Sequence, residues 1–444
     1  MKLFGTDGIR ARAGDFPLNA EAIAAIGQAV AERLNGLVLV GQDTRVSSPW
    51  ILDLLKQGFE RSGKATIENA GVIPTPAVAL LTRMHPFAGG VMISASHNPF
   101  EDNGIKVFSS DGTKLNDATE AEIEQRIHAL LPAGADSRAS SVPDVAIGKN
   151  SAERWLKSYR ELLLSHFPKG QWLNGLRIVA DCANGAMSVV APEVLRQLGA
   201  DVRVVCGDPT GRNINLNCGA VHLETLASAM KDETADFGVA FDGDGDRSLF
   251  VSRSGKHVDG DAVLLVMVRR MKPATVVGTS MTNYALEKTL GAEGVGLTRV
   301  GVGDRYIFEE MRRGGAAIGG EPSGHIIFSD FGLSGDGLLT TLKLAEAMVD
   351  AKKSLDDLTH DWVPAPQLLK GVRVSRRVPL EELAALQAVM RDANAVLEHC
   401  GRLVVRYSGT EPLLRVMIES DDAKRNEEWM SRMLQAIAKD MPQN

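Results

Sequence analysis

Short apolar runs along this chain end in polar loops that open onto helical patterns. Leu37-Val38-Leu39-Val40 leads into Gly41-Gln42-Asp43-Thr44-Arg45 and a helix from about Pro49. Leu176 to Ala180 leads into Asp181-Cys182-Ala183-Asn184-Gly185 and a helix near Pro192. Thr275-Val276-Val277-Gly278 leads into Thr279-Ser280-Met281-Thr282 and a further helix. Short strands alternating with helices confine the chain to mainly parallel α/β structure. Ligands in such sheets gather at the carboxyl ends of the strands, where these polar loops fall.

With 444 residues, the chain has room for three or four domains with cores that need no metal or disulfide staples. The stretch Pro132 to Asn150 is rich in Ala, Ser, Gly and Pro and separates helical patterns at Asp117–Leu130 and Ala152–Ser165. Phe250 to Gly260 reads as a strand and turn before a helix at Asp261–Arg270, and Val363-Pro364-Ala365-Pro366 as a stiff link. The expected domains are therefore 1–150, 151–252, 253–363 and 364–444. Three would be α/β units; the last has room for strand, helix, strand, strand and helix, a small α+β domain.

The balance of 49 basic and 56 acidic residues gives a net charge of −7, which argues against nucleic acid as the main partner. No stretch approaches the ~18 uninterrupted apolar residues of a membrane-spanning helix. Cys182, Cys206, Cys218 and Cys400 form no C-x-x-C motif and are too few for a disulfide scaffold, so a reducing compartment is expected. No apolar signal region follows Lys2, which makes a cytoplasmic enzyme the working class.

One loop is a decoy. Gly58-Phe59-Glu60-Arg61-Ser62-Gly63-Lys64-Ala65 nearly fits a phosphate-binding P-loop, but Ala65 replaces the Ser or Thr that would hold Mg²⁺. It also ends a helix, whose carbonyls repel phosphate, so a helix cap at Gly63 is expected.

Other loops carry chemistry. In Phe241-Asp242-Gly243-Asp244-Gly245-Asp246-Arg247, glycines between the aspartates let three carboxylates converge. Such hard oxygens suit Mg²⁺ or Ca²⁺, and the EF-hand pattern fails because Arg247 and Arg253 stand where Gly and Glu are needed. Arg247 reads equally as a counter-charge or a phosphate ligand. Ser94-Ala95-Ser96-His97-Asn98-Pro99 follows the strand-like Gly90-Val91-Met92-Ile93; its Ser96 is a candidate nucleophile or part of a hydrogen-bonded turn. Lys106, shortly after it, is a candidate acid/base or a point charge for phosphate.

Gly319-Gly320-Glu321-Pro322-Ser323-Gly324-His325 offers an acceptor, a hydroxyl and an imidazole, the mixture a polyol needs. Arg406-Tyr407-Ser408-Gly409-Thr410-Glu411-Pro412, with Arg415, has the elements of a phosphate cradle. Phe4-Gly5-Thr6-Asp7-Gly8-Ile9-Arg10 and Gly301-Val302-Gly303-Asp304-Arg305 add Arg10 and Arg305, the latter a substrate-binding candidate; either could merely pair with a nearby aspartate.

Together and in this order, FGTDGIR, SASHNP, DGDGDR, GEPSGH and RYSGTEP make the chain resemble the α-D-phosphohexomutase family over essentially its whole length. The resemblance implies three related mixed α/β domains plus a smaller C-terminal α+β domain around a central cleft. It implies that Ser96 is a phosphoserine, and that Asp242, Asp244 and Asp246 hold Mg²⁺ together with a Ser96 phosphate oxygen. Lys106 falls at the family's general acid/base position, and Arg10 and Arg247 line the reacting centre. Glu321 and Ser323 would bind sugar hydroxyls beside His325, while Arg406, Ser408, Gly409, Thr410 and Arg415 grip the non-reacting phosphate.

Pro322 and Glu411 resemble the glucosamine branch, which implies interconversion of glucosamine 6-phosphate and glucosamine 1-phosphate through a 1,6-bisphosphate, on the route to UDP-N-acetylglucosamine. Glucosamine 1,6-bisphosphate or glucose 1,6-bisphosphate would prime the enzyme. The expected partner is a small sugar phosphate, with neither nucleic acid nor membrane, and the chain a monomer or homodimer. A phosphomannomutase/phosphoglucomutase is the first rival reading; a non-catalytic sugar-phosphate binding protein is the second.

Overall fold

The computed structural model describes residues 2–5, 7–143, 152–231, 234–332, 334–408 and 412–441. The chain divides into two compact units, residues 1–279 with 300–360, and residues 280–299 with 361–444.

The first unit opens with a six-stranded sheet. Its centre is parallel: Leu37–Gln42 lies between Thr66–Val72 and Gly89–Ile93. Asp102–Ser109 then returns antiparallel along Gly89–Ile93, and Gly8–Arg12 adds antiparallel to it. The sheet is thus mixed rather than mainly parallel, because the short link between Ile93 and Asp102 has no room for the crossover that a parallel partner requires. Val38, Val40, Val91, Ile93, Ile105 and Val107 pack with Ile23, Ile26, Ile51 and Leu55 of two helices, Ala20–Leu34 and Ser48–Ser62. Asn19 caps the first helix by accepting from the Ala22 amide. Gly63 ends the second at φ 63°, and its amide bonds back to the Phe59 carbonyl. A side chain at Gly58 would come within 2.3 Å of the Ala24 carbonyl oxygen, so helix contact accounts for that glycine of the P-loop look-alike.

A five-stranded sheet follows, built the same way. Arg177–Asp181 runs parallel to both Asp201–Val205 and Phe237–Phe241, and Ser248–Ser252 turns back antiparallel as a hairpin. A third sheet pairs Thr275–Thr279 in parallel with Ile318–Gly320, which forms a hairpin with Ile326–Phe328. Helix Gly337–Ala351 starts at Asp336, whose carboxylate accepts from the Leu338 and Leu339 amides.

In the second unit, Leu413–Ser420 lies between Gln367–Arg373 and Gly401–Tyr407, all antiparallel. One face, including Leu414, Val416 and Ile418, packs with Met430, Met433 and Ile437 of helix Ala423–Asp440. Residues 280–299, expected within the 253–363 domain, cluster with this unit. The buried Glu419 carboxylate anchors them: it accepts from the Tyr284 amide (2.7 Å) and from Gln367 Nε2 (2.8 Å). Arg402, paired with Glu419, donates to the carbonyls of Ser280 (2.8 Å) and Thr282 (2.6 Å). No helix among the described residues is long and apolar enough to cross a membrane.

Candidate active site

The serine loop begins where Gly89–Ile93 ends. Ser96 is buried in a left-handed turn, φ 53°, which a non-glycine residue adopts at a cost of roughly 1–2 kcal/mol. Packed groups hold it there. The Ser94 hydroxyl donates to Asp43 Oδ2 (2.6 Å) and accepts from the Ser96 amide (2.9 Å). Arg45, itself fully buried, pairs with Asp43 through Nε (2.8 Å). Its other nitrogens donate to the carbonyls of Ser96 (2.9 Å), Asn98 (2.7 Å) and Asp102 (2.9 Å), and also to that of Pro99. Asn215 Nδ2 reaches the same Ser96 and Asn98 carbonyls at 2.9 and 3.0 Å. Each Arg45 contact is charge-assisted, so the guanidinium clamps the loop's backbone.

The Ser96 hydroxyl donates to Asp242 Oδ2 at 2.6 Å. Asp242, Asp244 and Asp246 lie in the hairpin loop between Phe237–Phe241 and Ser248–Ser252, all buried, with carboxylate oxygens within 4.8 Å of one another. Gly243 is needed for this approach, since a side chain there would lie 2.5 Å from the Ser96 carbonyl oxygen. Gly245 makes the turn at φ 75°. Asp244 Oδ2 accepts from Thr75 Oγ1 (2.5 Å) and Lys106 Nζ (2.8 Å), and Lys106 also reaches Asp246 Oδ2 at 3.4 Å. Asp244 Oδ1 is buried with no hydrogen-bond partner among the described residues. A buried, unbonded carboxylate oxygen beside two further carboxylates fits a hard divalent cation such as Mg²⁺.

Burial and the neighbouring Asp246 and Asp244 charges push the Asp242 carboxyl well above its ordinary range. Burial acts the same way on Asp246, but Lys106, His325 and Arg247 overcome it and hold that carboxyl well below. Burial pulls the Lys106 pKa down, but Asp244, Asp7 and Asp246 outweigh it and raise that pKa well above the usual lysine value. Lys106 is therefore an ammonium at neutral pH.

Arg10 pairs with Asp7 and donates to the Ala95 carbonyl (3.3 Å), beside the serine. Asp7 also meets Lys106 at 3.0 Å, and it pairs with Lys114, which donates to Asp304 at 2.7 Å. Arg247 Nη1 lies 3.2 Å from His97 Nδ1. Burial, Arg247 and Arg10 push His97 down to about 4, so its ring is neutral at pH 7. The loop Gly319–His325 belongs to the same unit. Glu321 accepts from the Gly303 amide (3.0 Å) and the Ser323 hydroxyl (3.1 Å). His325 Nε2 accepts from the Gly335 amide at 2.8 Å, and its Nδ1 lies 3.8 Å from Asp246 Oδ1.

Arg305 is engaged differently: it pairs with Asp117 (2.7 Å), Glu120 (3.7 Å) and Glu309 (3.3 Å) and donates to the Leu115 carbonyl (3.2 Å). Its neighbour Asp304 is what that loop delivers to Lys114. In the second unit, Arg406 and Arg415 stand directly opposite each other on paired strands, on the face away from the helix-packed core. Two guanidiniums across a strand pair repel unless an anion lies near. Ser408 is buried and its amide donates to the Leu413 carbonyl (2.8 Å). Gly409, Thr410 and Glu411 lie outside the described residues.

Several participants were missed in the sequence. Asp43 and Arg45 occupied a strand-end loop that pattern already marked. Thr75, Lys114 and Asn215 carried no local signal.

Four segments match the phosphoglucomutase/phosphomannomutase family. Residues 1–132, 154–255 and 259–365 match its alpha/beta/alpha domains I, II and III, and residues 369–436 its C-terminal domain. The chain belongs to this family, and with it to the isomerases. A phosphoglucosamine mutase of Solibacter usitatus is 45% identical over 450 residues, covering 99% of each chain; that of Koribacter versatilis is 43% identical, covering 98% of this chain and 96% of its own. The solved structure of a Burkholderia thailandensis phosphoglucomutase/phosphomannomutase family protein shares the fold with a TM-score of 0.81, 21% identity and coverage of 99% and 98% of the two chains.

Proposed function

We propose that the chain is a phosphoglucosamine mutase, interconverting glucosamine 6-phosphate and glucosamine 1-phosphate. One observation carries the chemistry: the Ser96 hydroxyl lies 2.6 Å from Asp242 in a buried cluster that also holds an ammonium, Lys106. The near-full-length relatives called phosphoglucosamine mutase support the choice of sugar.

Ser96 carries the phosphoryl group. As phosphoserine, it gives the group to the free hydroxyl of the bound monophosphate, making a 1,6-bisphosphate, and then recovers the other phosphate after the sugar turns round. Asp242, Asp244 and Asp246, with a phosphate oxygen on Ser96, would hold Mg²⁺, which supplies positive charge against the repulsion between two phosphates. Lys106 enters the cycle protonated, so it offers charge and a proton. Arg10 and Arg247 add guanidinium charge around the serine, and Glu321 and Ser323 bind ring hydroxyls beside His325. Arg406, Ser408 and Arg415, with Gly409 and Thr410, grip the phosphate that is not reacting. Glucosamine 1,6-bisphosphate or glucose 1,6-bisphosphate primes Ser96. Four free cysteines fit a reducing cytoplasm.

Assaying glucosamine 6-phosphate, glucose 6-phosphate and mannose 6-phosphate in parallel, with Mg²⁺ and a trace of bisphosphate, tests the assignment. The highest kcat/KM is expected for glucosamine 6-phosphate; a higher value for either neutral sugar overturns it.

A further inference from the structure

The strand that delivers the aspartate loop has a parallel neighbour, with Asp181 opposite Ala240. That neighbour ends in a second polar cluster. Asp181, Cys206 and Cys218 bring a carboxylate oxygen and two sulfurs within 4.8 Å of one another. Asp181 and Cys218 are fully buried, and Cys206 is partly exposed, which opens the cluster to solvent on one side.

The ligand atoms are held from behind. Asp181 Oδ1 accepts from the Ala183 amide (2.9 Å) and Oδ2 from the Gly219 amide (2.8 Å), which fixes the carboxylate's orientation. Asn184 Nδ2 lies 3.9 Å from Cys218 Sγ. The Cys206 carbonyl accepts from the Asn184 amide at 2.6 Å, with Cys206 itself at φ 48°. Burial pushes the Asp181 carboxyl up to about 6. The hydrogen bond between the two thiols lowers the Cys206 pKa and raises that of Cys218.

We propose that Asp181, Cys206 and Cys218 form a second cation site, for a thiophilic divalent ion of the Zn²⁺ and Cd²⁺ class. Two sulfurs and one carboxylate are a donor set for soft or borderline ions and a poor one for Mg²⁺. Zn–S bonds of about 2.3 Å in a tetrahedron put two sulfurs roughly 3.7 Å apart, so the cluster closes on the ion by small side-chain movements. Three protein ligands leave a fourth position for water. Binding releases the two thiol protons to solvent and involves no redox change.

The site connects to the serine. Cys206 and Cys218 bracket residues 207–217, and Asn215 within that segment grips the Ser96 and Asn98 carbonyls. Its amide donates to the Ala183 carbonyl at 2.9 Å, next to the cluster. Drawing both cysteines onto an ion shifts the segment that carries Asn215, so filling the site slows turnover.

The test titrates the whole enzyme with Cd²⁺ in excess Mg²⁺, following thiolate-to-cadmium absorption and turnover together. One equivalent with absorption from two thiolates is expected. Cys206→Ser should weaken binding, and raise the Cd²⁺ needed for inhibition, by at least about tenfold; Cys400→Ser should change neither. Cys218→Ser is the second variant, with melting curves to verify folding, and Cys206→Ser suffices if it fails to fold. Absence of the band at one equivalent, or an undiminished band in Cys206→Ser, overturns the site. Equal Cd²⁺ inhibition in wild type and Cys206→Ser overturns its link to turnover.

Discussion

Two adjacent parallel strands of one sheet, Arg177–Asp181 and Phe237–Phe241, end in clusters of opposite chemical character. The second presents carboxylates alone, packed against a lysine and a serine; the first presents one carboxylate and two thiols. The backbone address is the same, so the donor atoms alone distinguish which cation each end favours. The surroundings differ too. The carboxylate cluster is surrounded by Lys106, Arg247 and His325, whereas the Asp181 carboxylate is met by backbone amides. The site proposed for phosphoryl transfer gathers full charges. A site of thiols needs only orientation.

The largest expected effect separates the two ends. Ser96→Ala should lower turnover by at least about 10³-fold, since the phosphoryl carrier is gone; isothermal titration should still detect sugar phosphate, and Cd²⁺ binding at the thiols should be unchanged. Retained turnover would remove Ser96 from the chemistry. Asp244→Asn comes next: losing one carboxylate should raise the Mg²⁺ concentration for half-maximal activity by ~10-fold or more, read from a Mg²⁺ titration, without touching the thiol cluster. A smaller loss is expected for Arg45→Lys. A lysine cannot reproduce a planar fork donating to four carbonyls, so kcat should fall by roughly 10–100-fold with little change in KM. Equal changes in both constants would argue against a role in positioning Ser96.

Asn215→Ala probes the link between the two ends. It leaves Arg45 on the Ser96 carbonyl, so kcat should fall only about 3–10-fold, and Cd²⁺ should then bind without further slowing. The smallest effect lies far from both clusters. Arg126 pairs with Glu32 on the surface and holds its carboxyl down at about 2, from an ordinary 4.5. A depressed folded-state pKa stabilises above pH 4.5 and loses that contribution as pH falls towards 2. Thermal melts should show Arg126→Ala barely destabilised at pH 7 and indistinguishable from wild type near pH 2, because exposed pairs are well screened.

Much of the molecule was legible in the chain. The alternation of strand and helix identified the α/β units and placed Asp43, Ser96, Asp181 and Asp242 at or just after strand ends. The helix cap at Gly63 followed from order alone, and the order of elements after Pro366 was correct. The apolar runs alone did not locate the antiparallel returns, because an apolar run of strand length looks the same in either direction. Nor did they reveal the clustering of residues 280–299 with the second unit, which depends on Arg402 meeting the Ser280 and Thr282 carbonyls and on Glu419 accepting from the Tyr284 amide, contacts far apart in sequence.

The sequence by itself determined which chemistry was available: three aspartates spaced by glycines, a serine at a strand end, two arginines close together near the C-terminus. These are local facts, set by residue type and short spacing. Only the tertiary structure decided which groups meet. Lys106 finds Asp244, Arg45 finds the serine loop, Arg305 pairs with Asp117, and Cys206 comes to Cys218 beside Asp181. Such meetings are set by sheet register and packing, in which each side chain's partner depends on the whole core, and so no short stretch of sequence encodes them.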